Sequence, residues 1–197
     1  MTKQGPHHHG NLQEALIDAG LALLRESGQT GLTLRKAAAR AGVSHAAPAH
    51  HFNGLGGLRN AIARRGFEML LESLRAAERE NGNDSQPDPF KRLTVRLQAY
   101  LKFCDENEPL FRLMFAEATH ADPELKRIAM DCYRILHKSC RPFTNGRNTL
   151  EVEHAVWTMA HGYAVMRMNN PRPNAPAPTP PFENLLRLLL LPPDSDR

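Results

Sequence analysis

The chain has 197 residues, with 25 Lys and Arg against 21 Asp and Glu, a formal net charge of +4 and an isoelectric point near 9.2. Three cysteines, Cys104, Cys132 and Cys140, are odd in number and lack CxxC spacing, which excludes a disulfide framework and a cysteine zinc site and suits a reducing, cytoplasmic setting. No signal-peptide pattern is present and the longest apolar runs fall far short of a bilayer, so no membrane partner is expected.

Charge is concentrated at one end. Residues 1–66 hold eight Lys and Arg against three acids, Glu14, Asp18 and Glu26, together with six of the ten histidines. A basic first third on a near-neutral remainder is the pattern of a nucleic-acid module joined to something else.

Residues 1–10 read as a disordered arm, with His7, His8 and His9 suited to touching phosphate rather than to holding a metal. A first helix is expected over Asn11–Ser27, capped by Asn11 with Glu14 three residues on, and ended by Gly28. Its buried stripe is Leu12, Leu16, Ala19, Leu23 and Leu24.

Thr33–Phe52 then reads as two short helices about a tight turn. Leu34, Ala37, Ala38 and Ala41 share one face at spacings of three and four. Gly42 breaks the run where positive φ is cheapest, small Ala38 and Gly42 let the helices cross closely, Val43 can plug the angle, and Ser44 is a good cap for the second helix. This reads as a helix-turn-helix, whose second helix is built to lie in the DNA major groove, with a plainly packed helix pair as the alternative on geometry alone. Thr33 caps the first helix beside free amides that suit a phosphate, and Lys36 and Arg40 are phosphate or solvent residues. Groove-facing positions are Ser44, His45, Ala46 and Ala47, with His50 and His51 flanking the backbone. Pro48 is expected to remove about one backbone bond.

A long connecting helix follows over Leu58–Arg79, then a polar loop at residues 80–89. Leu93, Leu97, Tyr100, Leu101 and Cys104 mark a helix ending near Glu106. Pro109 opens a short apolar segment, and Pro123 begins a helix striped by Leu125, Ile128, Ala129, Cys132, Leu136 and Cys140. A helix over Leu150–Met168 contains Gly162, whose helical cost of up to about 1 kcal/mol implies close packing against it. Residues 171–181, with six prolines, read as an extended spacer before an almost wholly apolar helix, Phe182–Leu191. No strand pattern appears, so the fold class is all-α, with a DNA-binding domain at 8–68 and a second helical domain at 69–197.

GLTLRKAAARAGVSHAAPAHHF resembles the DNA-binding motif of TetR/AcrR-type transcriptional regulators, and HHGNLQEALIDAGLALL is similar to the first helix of a subgroup with a Trp-His-Gly-type C-terminal domain. Trp157, His161 and Gly162 resemble that signature. The resemblance implies that Arg35 reaches toward the groove as the best single candidate for a guanine contact. It also implies a homodimer through about residues 150–168 and 182–191, acting on a near-palindromic double-stranded operator, usually as a repressor. Two family positions differ: Ala49 stands where a tyrosine is common and Leu55 where a lysine is, with Arg59, Arg64 and Arg65 as possible replacements.

A small apolar or aromatic effector would enter the second domain, its walls drawn from Leu101, Phe111, Met114, Phe115, Met130, Tyr133, Trp157, His161 and Met166. The same residues equally suit a solid core. No phosphate loop, nucleophile elbow or HExxH spacing occurs, and His120–Asp122 and Asp105–Glu106 are isolated, so neither an enzyme, a cofactor nor a metal is expected. The competing reading is a helical interaction scaffold with weakened or lost DNA binding.

Overall fold

The structure is a computed structural model that describes residues 8–80, 88–116, 122–169 and 179–191, with side chains from residue 12 onward. Residues 1–7 of the expected N-terminal arm, most of the 80–89 loop, His120 and most of the proline-rich spacer lie outside the described residues, while residues 8–10 of that arm belong to the first helix instead. Among the described residues there are eight α-helices and no strand: α1 (His8–Gly31), α2 (Leu34–Arg40), α3 (Gly54–Glu80), α4 (Pro89–Glu106), α5 (Glu108–Met114), α6 (Pro123–Cys140), α7 (Thr149–Asn169) and α8 (Phe182–Leu190). None is long and apolar enough to cross a membrane.

Helix starts follow local chemistry. Asp88 takes the amides of Phe90 and Lys91 at 3.1 and 3.3 Å, and Asp122 takes that of Leu125 at 2.8 Å, each with proline in the first helical position. Three boundaries differ from expectation. Helix α1 begins before Asn11, which therefore sits inside its first turn rather than at its cap. Gly28 does break α1, at φ 63° and ψ −166°, but one further turn follows to Gly31. Helix α3 starts at Gly54 rather than Leu58, because first-turn residues need offer only their carbonyls, which glycine does as well as any residue.

The chain divides into two compact units. The first comprises residues 1–69 and 107–129, so α5 and the start of α6 belong with the helix-turn-helix and not with the second domain as the sequence suggested. Packing explains the assignment. Helix α5 lies against α1, and at Gly66 of α3 an added Cβ would stand 2.6 Å from Met114 Sδ and 3.0 Å from Leu110 Cδ1. Phe115 meets Phe67 edge-on at 5.5 Å and Phe111 at 4.8 Å. Leu16, Leu24, Leu58, Ile62, Leu113 and Leu125 complete this core with no exposed surface.

The second unit holds residues 70–106 and 130–197. Here α7 packs on α4 and α8. Leu93, Cys104, Val156 and Leu186 are fully buried, and Arg187 of α8 lies 4.5 Å over the Phe90 ring. Arg96, 8% exposed, donates to Ser139 Oγ at 2.6 Å and to Glu78, so this buried charge is paired.

Candidate nucleic-acid interface

The alanine stripe does what its spacing predicts. Ala37 and Ala38 are wholly buried against the rest of the first unit, turning the opposite face of α2 to solvent. Thr33 caps the helix, its hydroxyl accepting from the Lys36 amide at 3.2 Å. Gly42 adopts φ 70° and lets Val43 N–H reach Ala38 C=O at 3.0 Å. An added Cβ at Gly42 would meet nothing, so its role is the left-handed backbone rather than the close helix crossing expected of it.

The second element departs from the expectation. It is a 3-10 turn over Ala47–His50, with Ala46 as its cap and no side-chain capping bond, rather than an α-helix capped by Ser44. Pro48 is the cause. It has no N–H to give Ser44 C=O four residues back, and its ring crowds that carbonyl. Ser44 C=O instead takes the Ala47 amide at 3.0 Å, and Ala46 C=O takes that of Ala49 at 3.1 Å. Pro48 itself is buried, so it pins the turn to the body.

The side chains sort by exposure. Arg35, Lys36, Ser44, His45, Ala46 and His50 are exposed, while Thr33, Ala47 and His51 are half-buried. His51 tilts against Phe52 at 6.5 Å, which favours packing over backbone contact. Arg35 and Lys36 make no ion pair among the described residues. Other cations are spent. Arg40 holds Glu26 in a bidentate pair at 2.7 and 2.8 Å, and its hydrogen bonds keep the Glu26 carboxyl below the usual range. Arg65 is held by Glu14, by Asp18 at 3.5 Å and by Glu68 at 3.4 Å, while Arg59 donates to Gln29 at 3.0 Å. Arg64 alone of the three replacement candidates keeps its donors open, its nearest carboxylate being Glu68 at 3.9 Å.

The comparisons agree with this arrangement. Residues 93–189 match the family model described as "Tetracyclin repressor-like, C-terminal domain". The HTH-type transcriptional regulator BetI of Burkholderia cenocepacia is 31% identical over 148 residues, 74% of each chain. The chain belongs to the TetR family of transcriptional regulators. It is a DNA-binding regulator, and neither an enzyme nor the scaffold considered above is favoured. A Rhodococcus sp. RHA1 protein of unknown function shares the fold at TM-score 0.74, with 24% identity over 94% of both chains. FadR of Bacillus subtilis, solved in complex with stearoyl-CoA, shares it at TM-score 0.62, with 13% identity over 90% of this chain and 95% of that one.

In this TetR-family chain the nine expected effector-wall residues are split. Phe111, Met114 and Phe115 belong to the first unit, where they form its core around Gly66. In the second unit, Met130 and Met166 stand outward at 49% and 60% exposure, while Cys132 and Cys140 of α6 and Val156 and Ala160 of α7 are buried. Leu101 is buried there, and Trp157, 38% exposed, meets Tyr133 edge-on at 6.3 Å and His161 at 6.2 Å. His161 Nδ1 and Tyr100 Oη form a hydrogen bond at 2.9 Å, and burial lowers the imidazole pKa, which favours its neutral form.

The sequence reading missed Glu153. It is 2% exposed, takes a hydrogen bond from Tyr133 Oη at 2.8 Å and lies 2.7 Å from His137 Nδ1. A signal existed: Glu153 shares the buried face of α7 with Val156, Ala160 and Ala164, at helical spacing. Gly162 also needs correction. Beyond its own helix, nothing among the described residues lies within 4 Å of where its Cβ would be, so no packing among them calls for glycine there.

Proposed function

We propose that the chain acts as a homodimeric repressor of a near-palindromic operator, its hold on DNA changed by a small apolar or aromatic effector in the second unit. The observation that carries the reading is the free outer face of the helix-turn-helix. Arg35 and Lys36, exposed and without an ion pair among the described residues, stand beside exposed Ser44, His45, Ala46 and His50, while neighbouring arginines are neutralised. In this reading Arg35 meets a guanine, Thr33 and Lys36 meet phosphate, and Ala46 and Ala47 admit a thymine methyl.

Two observations support dimerisation through α7 and α8. Leu188 and Met166 are 81% and 60% exposed, and Gly162 has open space above its backbone, as a partner helix crossing closely would require. The effector reading draws on the fold shared with a FadR that binds stearoyl-CoA, and on the aromatic cluster of Tyr133, Trp157 and His161. For such a ligand to switch binding, it must prefer one spacing of the two reading heads over the other. The chain passes between its units within α3, at Asn107 and within α6, so two of the three crossings run through unbroken helix.

Gel-shift titrations on DNA upstream of the gene, at two salt concentrations, test this. Specific retention that falls steeply with salt is expected; retention equal on every sequence would reject the operator reading.

A further inference from the structure

The first unit contains a cleft of about 570 Å³ that the DNA-binding reading leaves unused. It opens between α1, the end of the helix-turn-helix and the start of α3, with the cap of α6 at one side. Gln13, Asn53, Asn60, Arg64 and Asp122 line it, with Phe52 and the backbone of Gly56 and Gly57.

Its chemistry is unusual for a surface groove. The carboxamides of Gln13, Asn53 and Asn60 make no hydrogen bond among the described residues, although Gln13 and Asn60 are half-buried. Each carboxamide can donate and accept at once. Among the described residues Arg64 makes no hydrogen bond, its ion pair with Glu68 being a loose 3.9 Å, and Asp122 accepts from the Leu125 amide at one carboxylate oxygen, at 2.8 Å, and takes no hydrogen bond at the other. The lining thus carries one fixed charge of each sign with the imidazole of His51 beside them, and Glu68 and Glu124 offset Arg64, so neither an anion nor a cation is strongly favoured. Buried Phe52 adds an apolar surface. A volume in this range is that of a small-molecule pocket.

We propose that this cleft binds a neutral polyhydroxylated molecule of one or two sugar rings. Hydroxyl groups are the complement of carboxamides, since both partners donate and accept. Arg64 and Asp122 bracket neighbouring hydroxyls from opposite sides, and ring C–H groups lie toward Phe52. A molecule seated there joins α1 and α3 to the end of the reading turn, and so braces the DNA-contacting segment directly, without passing through the second unit.

The test is a two-dimensional amide titration of the full-length protein with glucose, maltose and trehalose, with inorganic phosphate as the charged probe. A saturable shift confined to the Gly56 and Gly57 amides and the Gln13 and Asn60 side-chain amides is expected with at least one sugar. Asn60→Ala and Gln13→Ala should each weaken it by about three- to tenfold, the worth of one or two hydrogen bonds, with the remainder of the spectrum unchanged. A response to phosphate alone would make this an anion site and overturn the proposal. Absence of any saturable shift would overturn it equally, as would sugar binding that both substitutions leave untouched.

Discussion

Replacing Gly162 separates two accounts of the outer face of α7, because they predict opposite signs. An added methyl group meets nothing within 4 Å among the described residues of a single chain. Gly162→Ala in a lone protomer should therefore stabilise the helix by up to about 1 kcal/mol, raising Tm by about 2–4 °C in a chain of this size. If a partner helix crosses at that point, a larger side chain is inserted twice, once from each protomer. Overpacking costs about 1–3 kcal/mol per site, so Gly162→Leu should cost the dimer about 2–6 kcal/mol. That is roughly a 30-fold to 10⁴-fold rise in the dimer Kd. Sedimentation velocity over a concentration series measures it directly, with circular dichroism confirming that each variant is folded. Dimerisation of Gly162→Leu as tight as that of the parent chain would refute the reasoning, and so would a parent chain that sediments as a monomer.

Arg35→Ala should weaken operator binding by about 1–3 kcal/mol and relax choice at one base pair, whereas Arg40→Ala, which removes a side chain already held by Glu26, should change binding little; gel shifts on single-base operator variants compare the two. Gly66→Ala places a methyl group 2.6 Å from the sulfur of fully buried Met114, so overpacking of about 1–3 kcal/mol should outweigh a propensity gain of about 1 kcal/mol and lower Tm. In a Met114→Ala background the same change should raise Tm, and thermal melts of the four proteins test the reversal. Burial pushes the thiols of Cys104, Cys132 and Cys140 up to about 12. In the unfolded chain these thiols ionise near 9, so their contribution to stability is complete below that pH and is lost as pH rises from about 9 toward about 12. Denaturant melts along a pH series should show that decline, and a disulfide reagent near pH 8 should label the cysteines quickly only after unfolding.

Much of the fold was legible because its determinants are local. Apolar spacing placed α1, α2, α4, α6 and α7, and short-range capping placed Thr33. What escaped the sequence was set by residues far apart. The basic count of the first third treated Arg40 and Arg65 as available cations, yet their partners Glu26 and Glu14 lie 14 and 51 residues away. The assignment of α5 to the first unit depends on Met114 finding Gly66 across 48 residues, which no periodicity encodes. Pro48 is the instructive local error: counting one lost N–H overlooked the crowding of Ser44 C=O, which changes the type of helix and not merely its strength. The candidate DNA-facing residues were identifiable because exposure there follows from the buried alanine face of α2; the effector residues were not, since a methionine or aromatic residue reads the same inside a core, beside a cavity or on a surface.

The proline-shortened turn has a consequence for how operators are told apart. Four residues at about 2 Å each reach some 8 Å, little more than two base steps of about 3.4 Å. Its outward side chains are the methyl groups of Ala47 and Ala49 and the imidazole of His50, which offer few paired donors and acceptors for reading letters. One head therefore carries little information by itself. In the proposed dimer, fidelity across a genome would come from demanding two short words at a fixed interval, so that inserting a base between them should harm recognition more than misspelling either one.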